Sequence, residues 1–295
     1  MVSPQILFGI GAMLLWALAD IFAIFAIKRA GNRSALMYSQ GVSAALSILL
    51  FLVLRPEFSL SHGEFFLFLL CACLNGAGFF FFYRAIETDK ASLAFPLAYS
   101  WSVIAALLSI VFLGERPAPL VFAGALLVFF GGVFSELKEG GLKKAALSLS
   151  NSQVFLSAIL WGIAYAIFTP LEKVAGAIPS TFLLRTLSFP AILLLLFVVF
   201  PKKSLQIPQK RLLLPNAYLL FLGVGLFELL AALSYTFGIH SGETSIVAPL
   251  SAGAPALIVI FSIFALKERL SKSQLAGISM VLLGTFLASL ASALQ

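Results

Sequence analysis

The chain has 295 residues, 61% of them hydrophobic and 11% charged, with a formal net charge of +7. Soluble domains carry about a quarter charged residues, so this composition excludes an ordinary water-soluble protein and makes lipid the solvent for most of the chain. The basic residues sit in short pieces beside apolar runs, which excludes a continuous nucleic-acid-binding face and reads as a topology signal.

In chain order, apolar runs at Ile6–Ile27, Ala35–Leu54, Glu64–Ile86, Ala91–Leu113 and Ala118–Ser135 predict five membrane spans. Gln153–Ala175, Ser180–Phe200, Asn216–Ile239, Thr244–Leu266 and Ser273–Ala293 predict five more. Ten spans of about 20 residues with short loops use up the length. The expected fold class is therefore an all-α membrane protein of ten transmembrane helices. The first run lacks a basic leading region and is longer than the apolar core of a signal peptide, so it reads as an uncleaved span. Cys71 and Cys73, two apart in the third run, point to different helix faces and read as packing residues. The linker with soluble character is Glu136 to Asn151, with Lys138, Gly140, Gly141, Lys143 and Lys144. The domains follow as a first repeat over 1–136, a cytoplasmic linker over 137–152 and a second repeat over 153–295.

The two halves repeat each other. Leu113, Glu115-Arg116, Gly124 and Gly131 return 153 positions later (268 − 115) as Leu266, Glu268-Arg269, Gly277 and Gly284. Ser92, Pro96 and Leu97 return at the same offset as Ser245, Pro249 and Leu250. Upstream the offset is 145 (161 − 16), which places Leu15-Trp16 on Leu160-Trp161, Lys28 on Lys173 and Ala30-Gly31 on Ala175-Gly176. The longer stretch Pro201 to Pro215 accounts for the change in offset. A unit with an odd number of spans inserts its second copy upside down, an architecture associated with alternating access.

Basic loops resist translocation, so Lys and Arg fix orientation. The loops after spans one, three, five, seven and nine hold Lys28, Arg29, Arg33, Arg84, Lys90 and most of the remaining basic residues, whereas the other loops hold Arg55, Arg116 and Lys173. The odd-numbered loops are thereby expected in the cytoplasm and both termini outside.

Ionisable residues inside spans cost several kcal/mol unless they pair or face water. Asp20, Arg185 and Glu228 are such residues, and their repeat equivalents are Tyr165, Gln40 and Asn75. Three equivalent positions are polar in both copies. Asn75 and Glu228 fall near mid-span, and Gln40 and Arg185 about 7 Å from the centre on opposite sides. Trp16 and Asp20 share one face of span one, as Trp161, Tyr165 and Thr169 share one face of span six. Span four adds Tyr99, Ser100 and Trp101; span nine adds Ser251, Gly253 and Pro255. These residues read either as the lining of a central cavity or as packing residues and register-fixing ion pairs. Pro96 and Pro249 are expected to kink or loosen spans four and nine. The Glu-Arg pairs are expected to cap helices, and the glycines seven apart to let helices approach closely. No phosphate-binding loop occurs, and His62 and His240 fall at predicted loops, leaving no nucleophile dyad or metal cluster within the spans. No cofactor, metal or catalytic residue is expected.

Gly114-Glu115-Arg116 and Lys267-Glu268-Arg269, followed by Gly124/Gly131 and Gly277/Gly284, with the order Trp, Pro, Glu-Arg, Gly written twice, resemble the EamA-type transporters of the drug/metabolite superfamily. The resemblance covers the whole chain. It implies a ten-helix secondary transporter, commonly an exporter of amino acids, related metabolites or toxic compounds, driven by a gradient or by exchange. Several relatives are drawn with both termini in the cytoplasm, opposite to the charge count here. The expected substrate-binding residues are Trp16, Asp20, Gln40, Asn75, Tyr99, Trp161, Tyr165, Arg185 and Glu228. Arg185 would attract a carboxylate or phosphate, and Asp20 or Glu228 an amine or a coupling proton. The mixture suits an amino acid or a derivative, exported or exchanged across a plasma (inner) membrane. A lipid flippase and a membrane-embedded enzyme are the alternatives.

Overall fold

The computed structural model describes residues 2–86, 98–136, 149–199, 217–266 and 271–293, and every regular element among them is a helix. Expectations that fall on Ser92, Pro96, the linker lysines and Lys267-Glu268-Arg269 lie outside the described residues. The first half contains α1 (Pro4–Ala30), α2 (Asn32–Leu54), α3 (His62–Ile86), α4 (Trp101–Leu113) and α5 (Pro119–Glu136). The second contains α6 (Leu149–Ala175), α7 (Ala177–Val199), α8 (Ala217–His240), α9 (Thr244–Ser251), α10 (Ala254–Leu266) and α11 (Lys272–Ala293).

The repeat read from side chains is a repeat of backbone. Moving both ends of α1 by 145 gives the ends of α6, and the same shift turns α2 into α7. A shift of 153 turns α4 into α10. The joints repeat as well. Gly31 between α1 and α2 has φ 83°, and Gly176 between α6 and α7 has φ 84°. A side chain at either would strain the backbone, so glycine lets two long helices meet at a single residue.

Packing follows a pseudo-twofold relation. α1 lies on α8 and α6 on α3; α2 lies on α8 and α7 on α3; α4 lies on α6 and α10 on α1. The self-related pairs, α2 with α7 and α5 with α11, also touch. The α5–α11 contact is a glycine seam. A Cβ on Gly124 would stand 2.8 Å from the Gly284 carbonyl oxygen, and one on Gly284 would stand 2.6 Å from the Gly124 carbonyl oxygen. A Cβ on Gly131 would meet the Gly277 carbonyl oxygen at 2.7 Å. Backbone thus packs on backbone, the close approach that small residues permit in an apolar surround.

Span nine, expected over Thr244 to Leu266 with a kink or loosening at Pro249, is two helices separated by Ala252-Gly253. Pro249 and Pro255 flank the break, and neither has an N–H to return to the carbonyl four residues earlier. Turn-type bonds fill in, with Gly253 N donating to Leu250 O at 3.3 Å and Ala256 N to Gly253 O at 3.1 Å. The first repeat breaks at the equivalent place: Ser100 forms a turn between helical Tyr99 and α4, and 100 + 153 is Gly253. Because of these breaks α4 and α10 have 13 residues each, a rise of about 20 Å, short of the ~30 Å hydrocarbon thickness. Six helices among the described residues are long and apolar enough to cross a membrane, and four apolar stretches are shorter.

The Glu-Arg pair caps a helix, but across the fold. Glu115 accepts hydrogen bonds from Thr244 N at 2.9 Å and Ser245 N at 2.7 Å, meeting the unsatisfied N–H groups that open α9. In return Arg116 N donates to Glu243 at 3.2 Å. At the start of α3, Ser61 and Glu64 form a reciprocal capping box, with Ser61 N donating to Glu64 at 2.7 Å and Glu64 N to Ser61 Oγ at 3.3 Å. The histidines are not in loops as expected. His62 opens α3 and His240 closes α8.

Candidate functional site

Five helical segments enclose a central cavity of about 40 Å³, room for a few water molecules. α1 contributes Trp16 and Asp20; α3 contributes Asn75, Phe79, Phe82 and Tyr83; the broken segment before and at the start of α4 contributes Ala98, Tyr99 and Trp101. α6 contributes Trp161 and Tyr165, and α8 contributes Glu228. Seven of the nine residues expected from sequence are therefore brought together. Gln40 on α2 and Arg185 on α7 are not in the lining, and neither α2, α7 nor α9 supplies a lining residue among those described.

The helix periods explain the convergence. Trp16 and Asp20 are one turn apart, as are Trp161 and Tyr165 and as are Asn75 and Phe79, so each pair presents one face inward. The two equivalent tryptophans play equivalent parts. Trp161 Nε1 donates to the Asn75 carbonyl at 3.2 Å, and Trp16 lies within hydrogen-bonding reach of Glu228, which is the repeat equivalent of Asn75. Gly78 makes room for Trp161: a Cβ there would stand 2.5 Å from the indole. Phe79 and Phe82 pack around the same indole at centroid distances of 5.1 and 5.4 Å.

The charged groups occupy different settings. Tyr99 donates its hydroxyl to Asp20 Oδ2 at 2.7 Å, a neutral partner for a carboxylate. Arg185 Nη2 lies 3.1 Å from Glu228 Oε2 and also donates to the Glu228 carbonyl at 3.1 Å. Their side chains are 2% and 8% exposed, so this is a buried ion pair and worth most as a pair. The guanidinium also sits over the Phe79 ring at 5.7 Å, behind the cavity wall. Expected to face a substrate anion directly, Arg185 reaches the cavity only through Glu228.

Several buried polar atoms make no hydrogen bond among the described residues: Gln40 Nε2, Ser43 Oγ, Asn75 Oδ1, and Arg185 Nε and Nη1. Asn75 Nδ2 is satisfied, donating to Ser188 Oγ at 3.0 Å. Of the unmet atoms, Asn75 Oδ1 belongs to a residue that lines the cavity, and Arg185 Nε and Nη1 to one that pairs with a lining carboxylate.

Sequence reasoning left out Phe79, Phe82, Tyr83 and Tyr235, which the structure places in or against the site. Phe79, Phe82 and Tyr83 lie in an aromatic run whose apolar character hid their role. Tyr235 packs tilted or edge-on against Trp16, Trp101 and Tyr165 at centroid distances between 5.0 and 5.7 Å. Tyr235 is seven residues from Glu228, the same face of α8, and that spacing was a usable signal. Glu172 was missed too. It is fully buried near the end of α6 and bonded to His240.

Comparison with known proteins decides the family. The EamA-like transporter family matches residues 3–136 and 149–290, one match in each half. The chain belongs to this family. It is accordingly an integral multi-pass membrane protein, a transporter of the drug/metabolite superfamily rather than a member of an enzyme family. The uncharacterized protein MJ1333.1 of Methanocaldococcus jannaschii is 28% identical over 140 residues, which are 98% of its length and 46% of this chain. One such relative is thus about as long as a single repeat. A crystal structure of another protein aligns with 99% of this chain and 100% of its own at a TM-score of 0.76 and 19% identity, so the two share a fold.

Proposed function

We propose that this EamA-family member is a secondary active transporter, an exporter or exchanger, of an amino acid or amino-acid derivative across the plasma membrane. The observation that carries the reading is the placement of two carboxylates, Asp20 and Glu228, on one aromatic-walled cavity with a buried arginine directly behind one of them. The substrate's amine meets Asp20 or Glu228, with Tyr99 holding Asp20. Where the amine meets Glu228, the substrate's carboxylate can draw Arg185 away from it without leaving either charge unpaired. Trp16, Trp161 and Tyr165 form the walls, Asn75 offers an unmet polar atom among them, and Gln40 holds another on α2, outside the present lining. A few waters fit the present space, so an amino acid requires the walls to part. Transport proceeds by alternating access between the repeats, with Asp20 or Glu228 also able to take a coupling proton.

The same reading takes the chain as ten crossings in two inverted five-span repeats, over 1–136 and 153–295 with a linker between. The matched breaks at Ser100 and Gly253 support it, since discontinuous helices at corresponding places in two halves are a feature of carriers built on inverted repeats. In the second repeat α10 completes its crossing together with α9 on the other side of the break. The charge distribution places both termini outside, and a tag on the C-terminus should be reached by an impermeant reagent on intact cells.

The substrate is found by thermal-shift screening of purified protein against amino acids, their N- and C-blocked forms, and amines, because a ligand bound to the native state raises its apparent stability. Amino acids free at both ends should stabilise, and forms blocked at either end should not. Stabilisation by blocked forms alone sinks the zwitterion assignment.

A further inference from the structure

We propose that Glu172 and His240 form a proton-exchange site, separate from the central cavity, through which one face of the protein trades protons with a buried carboxylate. Glu172 is 0% exposed and His240 Nδ1 lies 2.8 Å from its Oε1, while the imidazole side chain is 50% exposed. A surface ring therefore touches a carboxylate that solvent does not. The second oxygen, Oε2, is buried and makes no hydrogen bond among the described residues.

The partner's chemistry sets this pair apart from the other buried carboxylate–cation pair. Arg185 beside Glu228 cannot give up its proton in a protein, so that partner stays a cation and relays no proton. Histidine changes charge within the physiological range and can pass a proton on. Lys173 is next to Glu172 in sequence, but its ammonium donates to the carbonyls of Ile239, His240 and Gly242, capping the end of α8. His240 and Lys173 are the charged groups that act on Glu172. Tyr235 on α8 and Glu115 at the end of α4 belong to the same cluster, and α3 and α7 bring no further charged partner to it among the described residues.

The step balances simply. A hydronium O–H breaks as an N–H forms at Nε2, the Nδ1–H breaks as an O–H forms at Glu172 Oε1, and the imidazole, neutral with its proton now on Nε2, faces a carboxylic acid. Inward of Glu172, Thr169 and Tyr165 follow on the same face of α6. Thr169 shares a hydrogen bond of 2.7 Å with Thr244, and Tyr165 stacks with Tyr235 at 5.0 Å on the cavity wall. A polar column thus runs from the surface histidine toward Glu228. Its use in coupling rests on the transporter reading; its protonation does not.

The test is infrared pH-difference spectroscopy of the full chain in liposomes, with no substrate present. Between pH ~8 and ~6 exposed carboxylates stay ionised, so a carboxylic-acid C=O band that appears in that step reports a buried group. Wild type should show such a band, Glu172→Gln should lose it, and Glu172→Asp should keep it at a shifted frequency, which covers the case in which the glutamine variant fails to fold. Glu228→Gln should leave it in place. His240→Phe, which keeps the bulk and removes the relay, should slow its appearance after a pH jump at least several-fold. The absence of a band in wild type, or a band unchanged in both Glu172 variants, overturns the proposal, whatever the flux measurements give.

Discussion

The first repeat sets Asp20, Gln40 and Asn75 where the second sets Tyr165, Arg185 and Glu228; the first two pairs lie on α1/α6 and α2/α7, whose ends agree residue for residue, and the third on α3/α8, whose ends agree within two residues. The backbone is duplicated and the chemistry is not. In the second repeat the α7 and α8 positions carry a charged pair, while the matching α2 and α3 positions carry two amides with unmet hydrogen-bonding atoms. Duplication therefore supplies two matching frames, and divergence at three positions makes their chemistry unequal.

The repeats should differ most at Arg185. Arg185→Gln leaves Glu228 buried without its cation and should cost about 3–5 kcal/mol, read as a large loss of thermal stability in detergent; the double variant with Glu228→Gln should recover most of it. The equivalent change in the first repeat, Gln40→Leu, removes a buried amide whose Nε2 has no partner and should be neutral or mildly stabilising. Equal losses at both positions would mean that the two frames do not differ as described.

Next in size are the glycines of the seam, where the repeats should behave alike. Gly124→Ala and Gly284→Ala each push a methyl against the other helix's backbone and should each destabilise by about 1–3 kcal/mol. A large loss at one and none at the other would break the pseudo-twofold relation at α5 and α11. The smallest effect is expected from Glu115→Gln, which weakens a charge-assisted cap on α9 and should cost about 1 kcal/mol, measured by the same melting assay.

Much of this was legible in the sequence, for identifiable reasons. Lipid forces apolar runs, so most predicted spans end within a few residues of the observed helices; Ala118–Ser135 became Pro119–Glu136. The repeat was legible because its glycines answer backbone needs that recur in both copies, at the joints Gly31 and Gly176 and in the seam of Gly124 and Gly284. Seven cavity residues were legible because polar side chains stand out in apolar helices. The break at Ala252-Gly253 was not, since its residues are as apolar as a continuous span and only the Pro249–Pro255 spacing hinted at it. Glu172 was passed over because a carboxylate beside Lys173 near a span end looks like a loop residue, and only the fold brings His240 to it. That Arg185 stands behind Glu228 rather than in the lining is a matter of how α7 packs against α8, which periodicity along one helix does not encode.

The central claim is that solute passes through the cavity between Asp20 and Glu228. It is tested most directly by counterflow of the ligand found in the thermal-shift screen, in proteoliposomes holding wild type, Asp20→Asn, Glu228→Gln or Arg185→Lys. The account predicts ligand-specific counterflow in wild type that falls at least tenfold in each folded variant. Wild-type rates in all three variants would contradict it and show these charges to be structural.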